Sequence, residues 1–277
     1  AGFMATHPAL VSTNELSQLL IAQRVQVIQV TTLEVYRKAH IPGALLVVPD
    51  DLICGIPPAP GRLPTIEKLN RVFGDIGYVP DTNIVVCDDE GGGWAGRLAW
   101  TLDVIGHQQW SYLDGGLRAW VANGLPLVST PTPVSPHQVS LSISSAPIAE
   151  IKDITPRLSD DDLVIWDCRS IDEYDGTRRT AARAGHIPGA RHLDWVDLMD
   201  TEHHRTLIKN AEALLGEHGI VRSKDIVTHC QTHHRSGLTY MTARLLGFPR
   251  IRAYHGSWSE WGNRPDTPIE KGPPKKS

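Results

Sequence analysis

Cys230 follows a short apolar run, Ile226-Val227-Thr228, with His229 between, and precedes a polar stretch, Gln231-Thr232-His233-His234, that closes on Arg235 and Ser236-Gly237. That order reads as a strand, a six-residue loop and a helix start. A cysteine so placed lies at the mouth of a sheet, with the loop amides and the following helix N-terminus turned toward it. Those dipoles and the Arg235 guanidinium favour thiolate over thiol, which makes Cys230 a nucleophile. A buried, inert cysteine is the plainer alternative, and the polar loop and Arg235 weigh against it.

His229, Cys230, His233 and His234 also invite a metal reading, since imidazole and thiolate both bind zinc. The adjacent pair His233-His234 does not readily face one ion, and no second Cys/His cluster stands at a conventional spacing, so no metal is expected. The four cysteines, Cys54, Cys87, Cys168 and Cys230, form no CxxC pair and no disulfide framework. In the first half, Gly91-Gly92-Gly93 lacks the Lys-Ser/Thr of a phosphate-binding loop.

Short β-branched runs alternating with helical patterns must position these residues. In the second half the strands are Leu163-Val164-Ile165-Trp166, Arg191-His192-Leu193, Ile226-Val227-Thr228 and Ile251-Arg252-Ala253-Tyr254. Ser170 with Glu173 fits a capping box opening a short helix. Further helices run from about 210 to 218 and 236 to 246, and a Trp-rich helix holds Trp258 and Trp261 on a core-facing side. The first half reads likewise, with strands near 25–30, 84–87 and 112–113. Such alternation indicates an α/β fold with a parallel central sheet covered by helices on both faces, which binds ligands at the carboxyl ends of its strands.

The chain repeats itself. Ala39-His40-Ile41-Pro42-Gly43-Ala44 returns as Gly185-His186-Ile187-Pro188-Gly189-Ala190 about half a chain length later. The stretch from Gly96 to Gly106 aligns with Gly237 to Gly247, and Asp114 to Trp120 with His255 to Trp261. Two homologous domains follow, at 1–125 and 148–277, joined by an extended Pro/Ser/Thr-rich linker at 126–147. Ala1, Gly2 and Phe3, ahead of Met4, are set aside as an expression remnant.

Composition narrows the function further. Lys and Arg total 27 against 31 Asp and Glu, a formal charge of −4, which provides no basic field for nucleic acid. At 41% hydrophobic content the 277 residues can bury substantial cores. No apolar run approaches the roughly 18–20 residues of a membrane helix, and the start lacks a secretory pattern, so a cytoplasmic protein without membrane partners is expected.

The Cys-x4-Arg loop, the His-Ile-Pro-Gly-Ala turn ahead of it, Gly256-Ser257-Trp258-Ser259-Glu260-Trp261-Gly262 after it, and the duplication together resemble the tandem-domain rhodaneses. The loop Cys230-Gln231-Thr232-His233-His234-Arg235 is similar to that of bacterial members. The resemblance implies a sulfurtransferase with Cys230 carrying a persulfide. Arg235 and the amides of Gln231, Thr232, His233 and His234 would hold thiosulfate or another small anionic sulfur donor, and cyanide or a thiol would be the acceptor. Trp195 would line the pocket and shield the persulfide from water. No cofactor is implied, and a sulfur-donating or sulfur-accepting protein is a conceivable partner.

The loop departs from the basic loop of mammalian thiosulfate enzymes and from the glycine-containing loop of mercaptopyruvate enzymes, leaving 3-mercaptopyruvate open as donor. Related enzymes place an arginine just before the aromatic that is Tyr174 here, where this chain has Glu173; Arg178, Arg179 or Arg183 are the candidate replacements. A persulfide carrier loaded by another protein and a Cys-dependent phosphatase-like enzyme are the rival functions, although the latter use Cys-x5-Arg. His233 and His234 are expected to make activity pH-sensitive by gaining charge. Asp88 aligns with Cys230, in a loop with Asp89 and Glu90, so the first domain reads as catalytically silent. Cys87 aligns with His229 and points away, Cys168 reads as packing, and Asp167 and Arg169 read as structural.

Overall fold

The computed structural model describes residues 8–275; Ala1, Gly2 and Phe3 lie outside the described residues. The first half contains strands β1 (Ala9–Val11), β2 (Gln26–Val30), β3 (Leu45–Val47), β4 (Ile84–Asp88) and β5 (Trp110–Leu113). Its helices are α1 (Thr13–Ile21), α2 (Leu33–Lys38), α3 (Ile66–Asp75), α4 (Gly93–Val104) and α5 (Gly116–Ala122). The second half contains β6 (Ile148–Ala149), β7 (Leu163–Asp167), β8 (Arg191–His192), the small hairpin β9 (Met199–Asp200) and β10 (Thr206–Leu207), then β11 (Asp225–His229) and β12 (Ile251–Tyr254). Its helices are α6 (Ile151–Ile154), α7 (Ile171–Asp175), α8 (Ala211–Glu217), α9 (Arg235–Leu245) and α10 (Ser257–Trp261).

Each half forms a five-stranded parallel sheet, ordered β1-β5-β4-β2-β3 and β6-β12-β11-β7-β8. The repeated order is the structural counterpart of the repeated sequence. Along each strand, alternate residues serve opposite faces. Ile28, Val30, Ile84 and Val86 join one buried cluster while Val27, Val85 and Cys87 join another. In the second sheet Val164, Trp166 and Ile226 face the first of these clusters, and Ile165, Val227 and Tyr254 face a third. Burial on both faces explains why the strands are largely apolar. Trp258 and Trp261 are fully buried in the third cluster, as their spacing indicates.

The first cluster is common to both halves. It forms where α4 crosses α9, and the crossing is close because Gly96 and Gly237 meet there. A Cβ on Gly96 would collide with the Gly237 carbonyl, and one on Gly237 with the Gly93 carbonyl. Asp103 of α4 then accepts hydrogen bonds from Tyr240 (2.6 Å) and Arg244 (2.8 Å) of α9.

The duplicated His-Ile-Pro-Gly-Ala turn is held identically in both halves. Tyr36 donates to the Ala44 carbonyl at 2.8 Å and stacks on His40; Tyr174 donates to the Ala190 carbonyl at 2.6 Å and stacks on His186. The motif is therefore a fold element that fixes the strand after it. Capping boxes at Ser12 and Ser170 open α1 and α7, the second as the Ser170/Glu173 spacing requires. Three edge strands, β1, β3 and β6, and the hairpin β9–β10 have no counterpart in the sequence reading. Each is two or three residues long and carries too little periodicity to register.

Candidate active site

Cys230 leaves the carboxyl end of β11, which lies between β12 and β7 at the centre of its sheet. Its side chain is 1% exposed. The sulfur accepts the His234 amide at 3.3 Å and the Ser236 hydroxyl at 3.4 Å. Its own backbone is pinned from the far side: the Cys230 amide donates to Ser257 Oγ at 3.3 Å, and Trp258 donates to its carbonyl at 2.9 Å. The Gly256-to-Gly262 segment thus acts as the floor of the loop.

Burial by itself pushes the Cys230 thiol up. The neighbouring Cys168 thiol, the Arg235 charge and the Ser236 contacts more than reverse that, holding it well below the ordinary thiol value. The surroundings thus favour thiolate over thiol. Cys87, buried on the opposite face of the other sheet beside Asp88 and Asp89, is pushed up instead.

The remaining loop residues divide by task. Gln231 exchanges hydrogen bonds with Thr180 (2.7 and 3.1 Å), tying the loop to the segment after α7. The Thr232 backbone packs so closely on Gly61 of the first half that a Cβ there would collide with the Thr232 carbonyl. His233 adopts φ 56°, accepts Arg97 on its carbonyl at 3.2 Å, packs edge-on against Trp100 and pairs with Ser236 Oγ at 2.6 Å. Burial and the Arg97 charge hold its imidazole well below the usual range, so it is neutral at physiological pH. The expectation that His233 gains charge there is corrected on this ground.

His234 is half-buried and faces the first half. Its Nε2 lies 2.7 Å from Glu90 Oε1, its ring stacks on Trp94 at 4.3 Å, and Trp195 tilts toward it at 5.8 Å. Arg235 is gripped by Glu173, Nη1 to Oε1 at 2.7 Å and Nη2 to Oε2 at 3.0 Å. The structure thus gathers all seven sequence-selected residues at one strand end, and it commits the Arg235 fork to a carboxylate.

Arg183 is no replacement for the arginine that Glu173 displaces. Its guanidinium donates to the carbonyls of Thr267, Trp261 and Arg264, securing the C-terminal segment. Arg178 and Arg179 are exposed. Asp167 and Arg169 form a fully buried fork that also reaches the Gly185 carbonyl, so they fix the turn entering β8. Four contributors escaped the sequence reading: Ser236, Glu173 as a partner of Arg235, Glu90 from the other half, and Cys168 as a neighbour of Cys230. Only Ser236 carried a local signal, being the first hydroxyl in the helix start.

The equivalent loop of the first half shows what its carboxylate does. Asp88 accepts the amides of Glu90 (3.1 Å), Gly92 (3.0 Å) and Ala95 (2.8 Å), filling with its own side chain the ring of N–H groups that a substrate anion would need. Burial and the Glu90 charge push this carboxyl up to about 6 against the pull of those amides. Among the described residues no group of His, Cys, Asp and Glu is arranged to hold a metal ion, and no helix is long and apolar enough to cross a membrane.

Two parallel sheets, duplicated turns and a cysteine loop at one strand end define a tandem-domain architecture. The chain belongs to the rhodanese-like domain family, whose model matches residues 12–123 and again 151–264. It is 46% identical to the thiosulfate sulfurtransferase of Azotobacter vinelandii over 96% of this chain and 98% of that protein. Identity to the thiosulfate sulfurtransferase of Pseudomonas aeruginosa is 44%, over 95% and 97%. Among solved structures, an anaerobic ergothioneine biosynthesis enzyme from Chlorobium limicola superposes with a TM-score of 0.83 at 24% identity, covering 96% of this chain and 70% of that one, which shows the shared fold.

Proposed function

We propose that the protein is a thiosulfate sulfurtransferase working by double displacement through a persulfide on Cys230. The observation that carries this is the Cys230 sulfur itself, seated under the His234 amide and Ser236 hydroxyl and held toward thiolate. Near-full-length similarity to two thiosulfate sulfurtransferases supports the choice of donor.

In the first step the thiolate attacks the sulfane sulfur of thiosulfate, the donor's S–S bond breaks, and sulfite leaves with the bonding pair. The outer sulfur of the persulfide then carries the negative charge, and the loop amides and the Arg235 charge stabilise it. In the second step cyanide or a thiolate attacks that outer sulfur and Cys230 thiolate leaves. Every species is an anion, so one set of donors serves both steps. Gln231, Thr232 and His233 hold the loop in shape, while His234 and Trp195 wall the approach.

The 126–147 segment as a linker, the first half as a silent partner, and a cytoplasmic location are parts of the same proposal. Four free thiols suit a reducing compartment. A physiological thiol or protein acceptor would take the place of cyanide.

Intact mass and thiocyanate formation, with thiosulfate and cyanide, test the reading beside Cys230→Ala. One sulfur atom gained by the wild type, removed by cyanide and absent from the variant, is the expected result. Thiocyanate production by Cys230→Ala would overturn the assignment. Phosphate-ester turnover dependent on Cys230, without sulfur gain, would favour the phosphatase-like alternative.

A further inference from the structure

Cys168 is a buried thiol that neither step of the double displacement consumes. The parallel pairing of β7 with β11 ends at Asp167 opposite His229, and the Cys168 amide donates to the His229 carbonyl at 3.1 Å. Cys168 and Cys230 are therefore the next residues along two adjacent strands. Neighbouring strands run about 4.7–4.9 Å apart, within the roughly 4.4–6.8 Å Cα separation a disulfide spans. Both side chains belong to the same buried cluster, and each thiol shifts the other's titration in the opposite sense, as adjacent sulfurs do. The other two cysteines are elsewhere: Cys87 is on the opposite face of the first sheet, and Cys54 bonds the carbonyls of Ala59 and Pro60.

We propose that Cys168 resolves the Cys230 persulfide when no acceptor arrives, releasing hydrosulfide and leaving a Cys168–Cys230 disulfide. The inference rests on the persulfide reading and goes beyond it. The Cys168 sulfur attacks Cys230 Sγ, the bond from Sγ to the outer sulfur breaks, and the outer sulfur leaves as hydrosulfide with the bonding pair and the Cys168 proton. The sulfane sulfur is reduced to sulfide as the two cysteine sulfurs are oxidised to a disulfide, so no external oxidant is needed. A dithiol reductant returns the enzyme to its starting state.

The surroundings set the order of events. Loading moves the negative charge to the outer sulfur, beneath the His234 amide and near Arg235, where a departing sulfide anion is stabilised. Burial holds the Cys168 thiol well above its ordinary value, which keeps it protonated and slow. An acceptor present in solution wins the competition, and resolution acts on the idle persulfide.

The test loads wild type and Cys168→Ala with thiosulfate and, separately, with sodium tetrasulfide, so that a failure of the thiosulfate reaction is read apart from a failure of resolution. After removal of the donor, intact mass and free sulfide are followed without acceptor. The wild type is expected to lose the added sulfur as sulfide, finish two hydrogens lighter than the free dithiol, and yield a peptide linking Cys168 to Cys230. Dithiothreitol should restore activity. Cys168→Ala should keep its persulfide at least about tenfold longer, because the vicinal thiol acts at high effective concentration. Equal persulfide lifetimes, or sulfide release without the linked peptide, would overturn the proposal. Should Cys168→Ala fail to fold, Cys168→Ser takes its place, and diamide oxidation of the wild type must still produce the linked peptide.

Discussion

Glu173 grips Arg235 through both carboxylate oxygens, at 2.7 and 3.0 Å, beside the loop that holds Cys230. The Arg235 charge and hydrogen bond hold the Glu173 carboxyl low against the cost of its burial, so it is ionised at neutral pH. A dianionic donor thus meets an arginine that is already half-neutralised. Glu173→Gln retains the capping box with Ser170 while removing the competing charge. We expect KM for thiosulfate to fall about three- to tenfold, the yield of roughly 1 kcal/mol for a released charge-assisted contact. An unchanged or raised KM in steady-state assays would show that Arg235 does not meet the donor.

Ser236 gives its hydroxyl to the Cys230 sulfur and pairs with His233 Nδ1. Ser236→Ala removes one donor from the thiolate, worth about 1 kcal/mol, so the alkylation midpoint should rise by about one pH unit or a little less. Iodoacetamide rates measured against pH provide the check, with thermal unfolding to confirm that the variant is folded.

The pH dependence of Cys230 has a definite sign. An acid whose folded pKa lies below its unfolded value adds stability that is complete above the unfolded value, about 8.5 for a thiol, and is lost as pH falls through the folded value. The Tm advantage of wild type over Cys230→Ser should therefore grow from pH 6 to pH 9. Alkylation of Cys230 should be nearly flat across the same range. A rise of about tenfold per pH unit below 8.5, as for an ordinary thiol, would contradict the electrostatics described above.

Gly96 and Gly237 allow α4 and α9 to cross at backbone contact. Gly96→Ala forces a methyl group into the Gly237 carbonyl, and no flexible side chain is there to yield. A loss of about 2–3 kcal/mol is expected, lowering Tm by roughly 5–10 °C. Differential scanning calorimetry reads this directly, and an unshifted transition would mean that the crossing has slack.

Much of this architecture was legible because it is local. Strands β7, β11 and β12, the helix after the cysteine loop and the Ser170 cap all follow from residues a few positions apart. What escaped is long-range. Glu90 and His234 are separated by half the chain, and nothing near either one announces the 2.7 Å contact between them. Cys168 reads as packing from its own strand, and the informative neighbour is across the sheet, in strand register. The alignment of Asp88 with Cys230 does not disclose that its carboxylate accepts the Gly92 and Ala95 amides of its own loop.

The buried cluster shared across the α4–α9 crossing ties the fate of the two halves together. After a duplication, a copy with its own sealed core is free to be lost, swapped or moved on a hinge. Here each copy supplies an inner wall of the other, so deleting either half would strip its neighbour of that lining. Neither half can therefore be shed or remodelled alone, and mutations that open the shared cluster from the first half will register as instability of both.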